Sequence, residues 1–117
     1  MKDNKLIAEF MEVVFHDDEN QYYNADGLHI GNTLQYDTSW DWLMPVVEKI
    51  KSTQFRDRDL FSWGYRMYKE STSTCVFEFY KDGYRSKEVI KAVDFDCMKK
   101  ATYKAVVEFI KQHNKES

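Results

Sequence analysis

The sequence predicts one α+β domain, in which a three-stranded antiparallel meander, with room for a fourth strand, packs with about three helices as a layered α/β sandwich. Three observations carry this prediction. Apolar residues recur with a helical period in three segments of the chain. Between the last two segments they alternate with polar residues, and Asp82-Gly83 there is a dipeptide that closes two-residue hairpins. Finally, 117 residues can bury one contiguous core but not two, so 1–117 is expected to be a single domain.

The first helix is expected from about Asn4 to Val14. Leu6, Ile7, Phe10, Met11, Val13 and Val14 share a broad face, with Glu9 and Glu12 opposite and Asp3 or Asn4 as N-cap. Residues 16–37 are polar and rich in Asn, Asp and Tyr, with Asp26-Gly27 as a turn signal. A structureless loop of that length is unusual in a compact domain, so one short strand or hairpin is expected there.

Thr38 or Ser39 can cap the second helix, with Asp41 near a capping-box position. Pro45 removes the donor that the Asp41 carbonyl needs, so either this helix kinks or its main part begins at Pro45. Strands follow at about 61–68, 75–80 and 84–91. The last helix is expected from about Asp96 to His113, with Asp94 or Asp96 at its start. Met98, Ala101, Ala105, Val106, Phe109 and Ile110 form its core face, and Lys100, Lys104, Lys111 and Lys115 a stripe on the other side.

The composition is that of a globular chain, with 43% hydrophobic and 32% charged residues. No apolar run approaches the roughly 20 residues that span a bilayer, and no secretion signal is read at the start, so a cytoplasmic location is expected. Cys75 and Cys97 lack a zinc-type spacing and read as two buried, reduced thiols. Net charge is −3, but its distribution is uneven. From Leu6 to Glu48 there is no Lys or Arg, while nine Asp and Glu residues fall in that stretch. An acidic side and a weakly basic side are therefore expected.

Three patches carry a resemblance. The run Thr38-Ser39-Trp40-Asp41-Trp42-Leu43-Met44-Pro45-Val46-Val47-Glu48-Lys49-Ile50 resembles a stretch of small bacteriophage and prophage proteins of Bacteroidetes-type bacteria. So do the opening Ile7-Ala8-Glu9-Phe10-Met11 and the closing Lys104-Ala105-Val106-Val107-Glu108-Phe109-Ile110-Lys111. The chain departs from that pattern at Glu12, where Gly often follows the Phe-Met pair, and at Gln112-His113, where Trp-Tyr is common. The resemblance implies a mobile-element origin and a layered α/β domain. It brings no activity and no catalytic residues.

No catalytic, metal or cofactor site is expected from the residues themselves. His16-Asp17-Asp18-Glu19 lacks the ligand spacing that hard cations use and reads as a solvated acidic loop. The three His residues sit in no catalytic motif, and no Gly-rich phosphate loop is present. Trp40 and Trp42, two residues apart, cannot share a helical face, so one of them packs outside the main core. Tyr22, Tyr23 and Tyr36 lie among acids, a setting that suits a protein-binding surface, though rings that simply pin down the long 16–37 segment are the favoured reading.

The expected function is that of a non-enzymatic phage accessory protein that binds a basic surface of a host protein, such as a defence nuclease. Asp17, Asp18, Glu19, Tyr22, Tyr23, Asp26, Tyr36 and Trp42 are the candidate binding residues. Self-association through an exposed Trp or sheet edge is compatible with the same residues. The alternative is a nucleic-acid-binding module using Lys99, Lys100, Lys104 and Lys111, since helix, three strands, helix is also the order of double-stranded-RNA-binding domains. The acidic remainder of the chain disfavours nucleic acid as partner.

Overall fold

The computed structural model describes residues 2–52, 62–71, 74–82, 89–95 and 97–116. Their order is α1 (Lys2–Phe10), β1 (Val14–His16), β2 (Gln21–Tyr23), β3 (His29–Gly31), α2 (Trp40–Ser52), β4 (Ser62–Lys69), β5 (Cys75–Asp82), β6 (Val89–Asp94) and α3 (Met98–Glu116). The fold is α+β, with the strands divided between two antiparallel sheets, β1-β2-β3 and β4-β5-β6. The additional strands therefore do not extend the meander; they make a small sheet of their own.

Alternation explains the meander. Tyr65 pairs with Phe79 and Met67 with Phe77, and the ladder continues from Phe79 to Ile90 and from Phe77 to Ala92. Residues directly opposite share a face, and this face meets the helices: α2 lies against β4, and α3 against β5 and β6. Ile7, Leu43, Val46, Val47, Ile50, Phe77, Phe79, Ala105, Val106 and Ile110 are fully buried there. A run of aromatic contacts ties the layers together. Tyr65 stacks on Phe77 at 5.6 Å, Phe77 meets Phe79 at 4.8 Å, Phe79 meets Phe109 at 5.7 Å, and Phe109 meets Phe10 of α1 at 6.3 Å.

Of the expected Asp82-Gly83 turn, Asp82 is still in β5, while Gly83 and residues 84–88 of the expected third strand lie outside the described residues, as does Phe61. The ladder nearby differs from the one such a turn gives. A two-residue turn with unbroken pairing would set Tyr80 opposite Arg85, whereas Tyr80 stands opposite Val89. Within the described residues β6 accordingly runs to Asp94, later than expected.

The helix boundaries also move. α1 ends at Phe10 instead of Val14 because Glu12 adopts a left-handed conformation, φ 60°. The Val13 N–H then reaches back to the Ala8 carbonyl (2.9 Å) and the Glu12 N–H to the Glu9 carbonyl (3.1 Å). This is the Schellman pattern, which stops a helix by satisfying its last carbonyls. Asn4 does not cap α1 but lies inside it, buried. In α2, the Ser39 carbonyl accepts from Leu43 (3.0 Å), so Ser39 is the cap and Asp41 falls in the first turn. The helix continues unbroken through Pro45.

α3 begins at Met98, with the Cys97 carbonyl accepting from Ala101 (3.1 Å) and an Asp94 carboxylate oxygen accepting from the Cys97 N–H (3.0 Å). Cys75 is buried as expected, but Cys97, at this cap, is only half-buried; both thiols are free. The core face of α3 is wider than its apolar stripe. Thr102 is fully buried, and its hydroxyl donates to the Met98 carbonyl (2.8 Å).

On the other face of the meander, where Val76 is fully buried, the carboxylate of Glu78 is satisfied. Glu78 is buried, and its Oε2 accepts from Arg66 Nε (3.0 Å) and Nη2 (2.9 Å), while the Tyr68 hydroxyl donates to Oε1. Gly64 gives the Tyr80 ring room on this face. A Cβ there would stand 2.5 Å from Cζ of Tyr80, its partner across the strands.

Candidate functional site

The small sheet is built by its turns. A four-residue loop, Asp17 to Asn20, joins β1 to β2. The Glu19 N–H donates to the His16 carbonyl (3.2 Å), and Asn20 takes the left-handed conformation (φ 55°) that Asn tolerates better than most residues. Asn24 organises the next turn. Its side-chain oxygen accepts from the backbone N–H groups of Asp26 (3.0 Å) and Leu28 (2.9 Å), and Gly27 supplies the positive φ of 83°. The Asp26-Gly27 signal therefore marks a real turn.

No residue from Val14 to Gly31 is buried. One face of the sheet carries Phe15 against Tyr22, ring centroids 4.7 Å apart. The other carries His16, Tyr23 and His29 in a row, with Tyr23 4.6 Å from His16 and 5.5 Å from His29. The Tyr23 hydroxyl donates to Glu19, and that hydrogen bond holds the phenol above its ordinary range. Val14 is 54% exposed, Phe15 39% and Leu28 64%, so the small sheet and its turns carry open apolar surface as well as the acidic turn Asp17-Asp18-Glu19.

A bulge links this sheet to the body of the protein. Tyr22 pairs with Gly31 and Tyr23 with His29, which leaves Ile30 as the extra residue on β3. Bulges re-aim side chains, and Ile30 lines a groove of ≈ 390 Å³ between the small sheet and α2. Met11 and Val13, from the segment after α1, line it too, and Trp42 and Pro45 come from α2. Asn24, Tyr36 and Asp41 are its polar groups. Trp42 meets Tyr36 at 82°, ring centroids 5.2 Å apart.

The structure thus divides the sequence-derived candidates. Asp17, Asp18, Glu19, Tyr22, Tyr23 and Asp26 lie together on the small sheet and its turns. Trp42 lies apart from them, on the groove. Tyr36 corrects the expectation of a surface ring: it is only 3% exposed, and burial pushes its hydroxyl up to about 12. Of the two indoles, Trp42 packs against the core while Trp40 stays 37% exposed.

The lysine stripe is partly committed elsewhere. Lys99 donates to the Thr38 carbonyl (2.9 Å), and Lys104 to Asp94 (3.1 Å) and to the Val93 carbonyl (3.3 Å); Lys100 and Lys111 are exposed. Sequence reasoning missed Val14, Phe15 and Leu28 as open apolar surface, and it missed the groove. Val14 had the spacing of a helical core residue. Among the described residues, no group of three or more His, Cys, Asp or Glu is placed to hold a metal ion, and no helix is long and apolar enough to cross a membrane. No known protein family, curated protein or solved structure matches the chain.

Proposed function

We propose that the chain is a non-enzymatic accessory protein that acts by binding another protein, with the small sheet β1-β2-β3 as its docking element. The observation that carries this reading is a sheet with no buried residue that leaves the apolar side chains of Val14, Phe15 and Leu28 open on the same small element as the acidic turn Asp17-Asp18-Glu19. A monomer gains nothing from exposing such side chains, whereas a partner can bury them. The stretch Leu6 to Glu48, which contains the whole sheet, has no Lys or Arg, so the complementary partner surface is basic. A host protein that handles nucleic acid presents such a surface. An inhibitor of a host defence protein, in keeping with the resemblance to phage sequences, is the biological form this reading takes.

The test is capture from bacterial lysate by the full chain, with and without nuclease treatment, alongside two variants. One reverses the turn (D17K/D18K/E19K), and the other is Phe15→Ser. The reading expects a basic protein that survives nuclease treatment, is lost with both variants, and is released as salt rises. Capture that vanishes with nuclease, or that neither variant changes, overturns it.

A further inference from the structure

We infer that the groove between β3 and α2 receives an arginine side chain of the partner. This deepens the binding reading above and rests on it for the source of the arginine. An arginine makes three demands of a site: apolar walls for its methylene stem, a flat ring on which the guanidinium can stack, and an anionic acceptor for its charge. The groove meets each with a different residue. Met11, Val13 and Ile30 supply the walls, Trp42 the indole, and Asp41 the carboxylate. Trp is the strongest ring partner for a cation.

Two further facts favour a cation over other occupants. All of the lining residues come from the part of the chain that has no Lys or Arg, and among them Asp41 alone is charged at neutral pH, since Tyr36 ionises only near 12. An arriving cation therefore meets a carboxylate with no competing cation among the lining groups, while an anion would be repelled. The volume, ≈ 390 Å³, lies at the lower end of the range of about 300–1,000 Å³ for small-ligand pockets, which suits one long side chain and its flanking backbone.

The probe is N-acetyl-L-arginine amide, titrated into the isotope-labelled full chain and followed by NMR. N-acetyl-L-citrulline amide serves as the neutral control of nearly the same shape. Saturable shifts of the Trp42 indole N–H and the Ile30 amide are expected at millimolar arginine amide, with at least about fivefold weaker binding of the citrulline compound. Asp41→Asn should reduce arginine binding by about threefold or more, and Trp42→Phe should weaken it while keeping an aromatic wall. Equal response to both compounds overturns the inference, as do shifts confined to Asp17, Asp18 and Glu19 or the absence of a saturable shift at Trp42. Each such failure leaves the small-sheet reading standing, because that reading is tested at Phe15 and the acidic turn. Failure of the small-sheet variants with a responsive groove would instead overturn the docking element alone.

Discussion

Lys49 of α2 donates to the Phe10 carbonyl at the end of α1, and its ammonium lies 4.7 Å from the centroid of the Phe10 ring. α1 has no basic residue in its own last turn, so the cation that complements its C-terminus comes from another helix. The contact joins two segments of the chain 39 residues apart. Replacing Lys49 with Met keeps the stem and removes the charge. Urea denaturation of Lys49→Met should show a loss of about 1 kcal/mol; an unchanged midpoint would show that the contact contributes nothing.

Asn4 connects three elements. Its Nδ2 donates to Asp37 (2.9 Å), and its Oδ1 accepts from the Tyr103 hydroxyl (2.8 Å) of α3. Because Asn4 is buried, replacement by Leu strands both partners and should cost about 2–3 kcal/mol.

Two tyrosines should stand out in a spectrophotometric titration. Burial pushes the Tyr103 hydroxyl up to about 12, aided by the charges of Asp3 and Asp37, and burial alone does the same to Tyr36. A phenol whose folded value is raised stabilises the fold fully below its ordinary 10.0, and that contribution is lost as pH rises through about 12. Stability should therefore fall between those limits, with Tyr36 and Tyr103 ionising last. Early, simultaneous ionisation of all eight tyrosines would contradict this.

Glu78 governs the acid side. Burial acts to raise its carboxyl, but hydrogen bonds from Tyr68 and Arg66 and the Arg66 charge outweigh burial, and the net shift is downward. A lowered carboxyl stabilises the fold above its ordinary 4.5, and the contribution is lost as pH falls through the lower folded value. Glu78→Gln should cost roughly 1 kcal/mol at neutral pH and flatten the loss of stability below pH 4.5. A variant with the same acid limb as the parent would rule out this role.

Glu12 occupies a left-handed backbone conformation that favours Gly. Glu12→Gly should raise stability by roughly 0.5–1 kcal/mol, the gain from removing a Cβ in the left-handed region less the extra freedom of the unfolded chain. Thermal unfolding of the pair checks it, and a lowered midpoint would show that the Glu12 side chain contributes more than the strain costs.

The same position shows where the sequence stops being legible. Phe77 and Phe79, or Ala101, Ala105 and Ile110, repeat often enough for a period to appear, and those elements stand where the patterning places them. The strands of the small sheet have three residues each, too few to show alternation. Met11, Val13 and Val14 continue the stripe of α1 past its true end, because a Glu at the stop position gives no signal that a Gly would have given. The acidic turn and Tyr22 were readable as surface because they lie in a polar segment. Tyr36 lies in that segment too, yet is buried, its ring edge-on to that of Trp42. The groove was not legible at all. It is assembled from residues far apart in sequence, and the bulge that brings in Ile30 depends on a register that single-chain patterning does not specify.

The separation of the two sheets also divides the protein's cooperativity. Among the described residues, β1, β2 and β3 share no ladder with the meander and none of their side chains is fully buried, so little of the free energy of the core reaches them. Their amide hydrogens should exchange with solvent through local opening, while those of β5 and α3 exchange only when the whole molecule unfolds. A partner that clamps the small sheet would slow the first class and leave the second nearly unchanged. Exchange rates alone would then reveal where on the protein the partner sits.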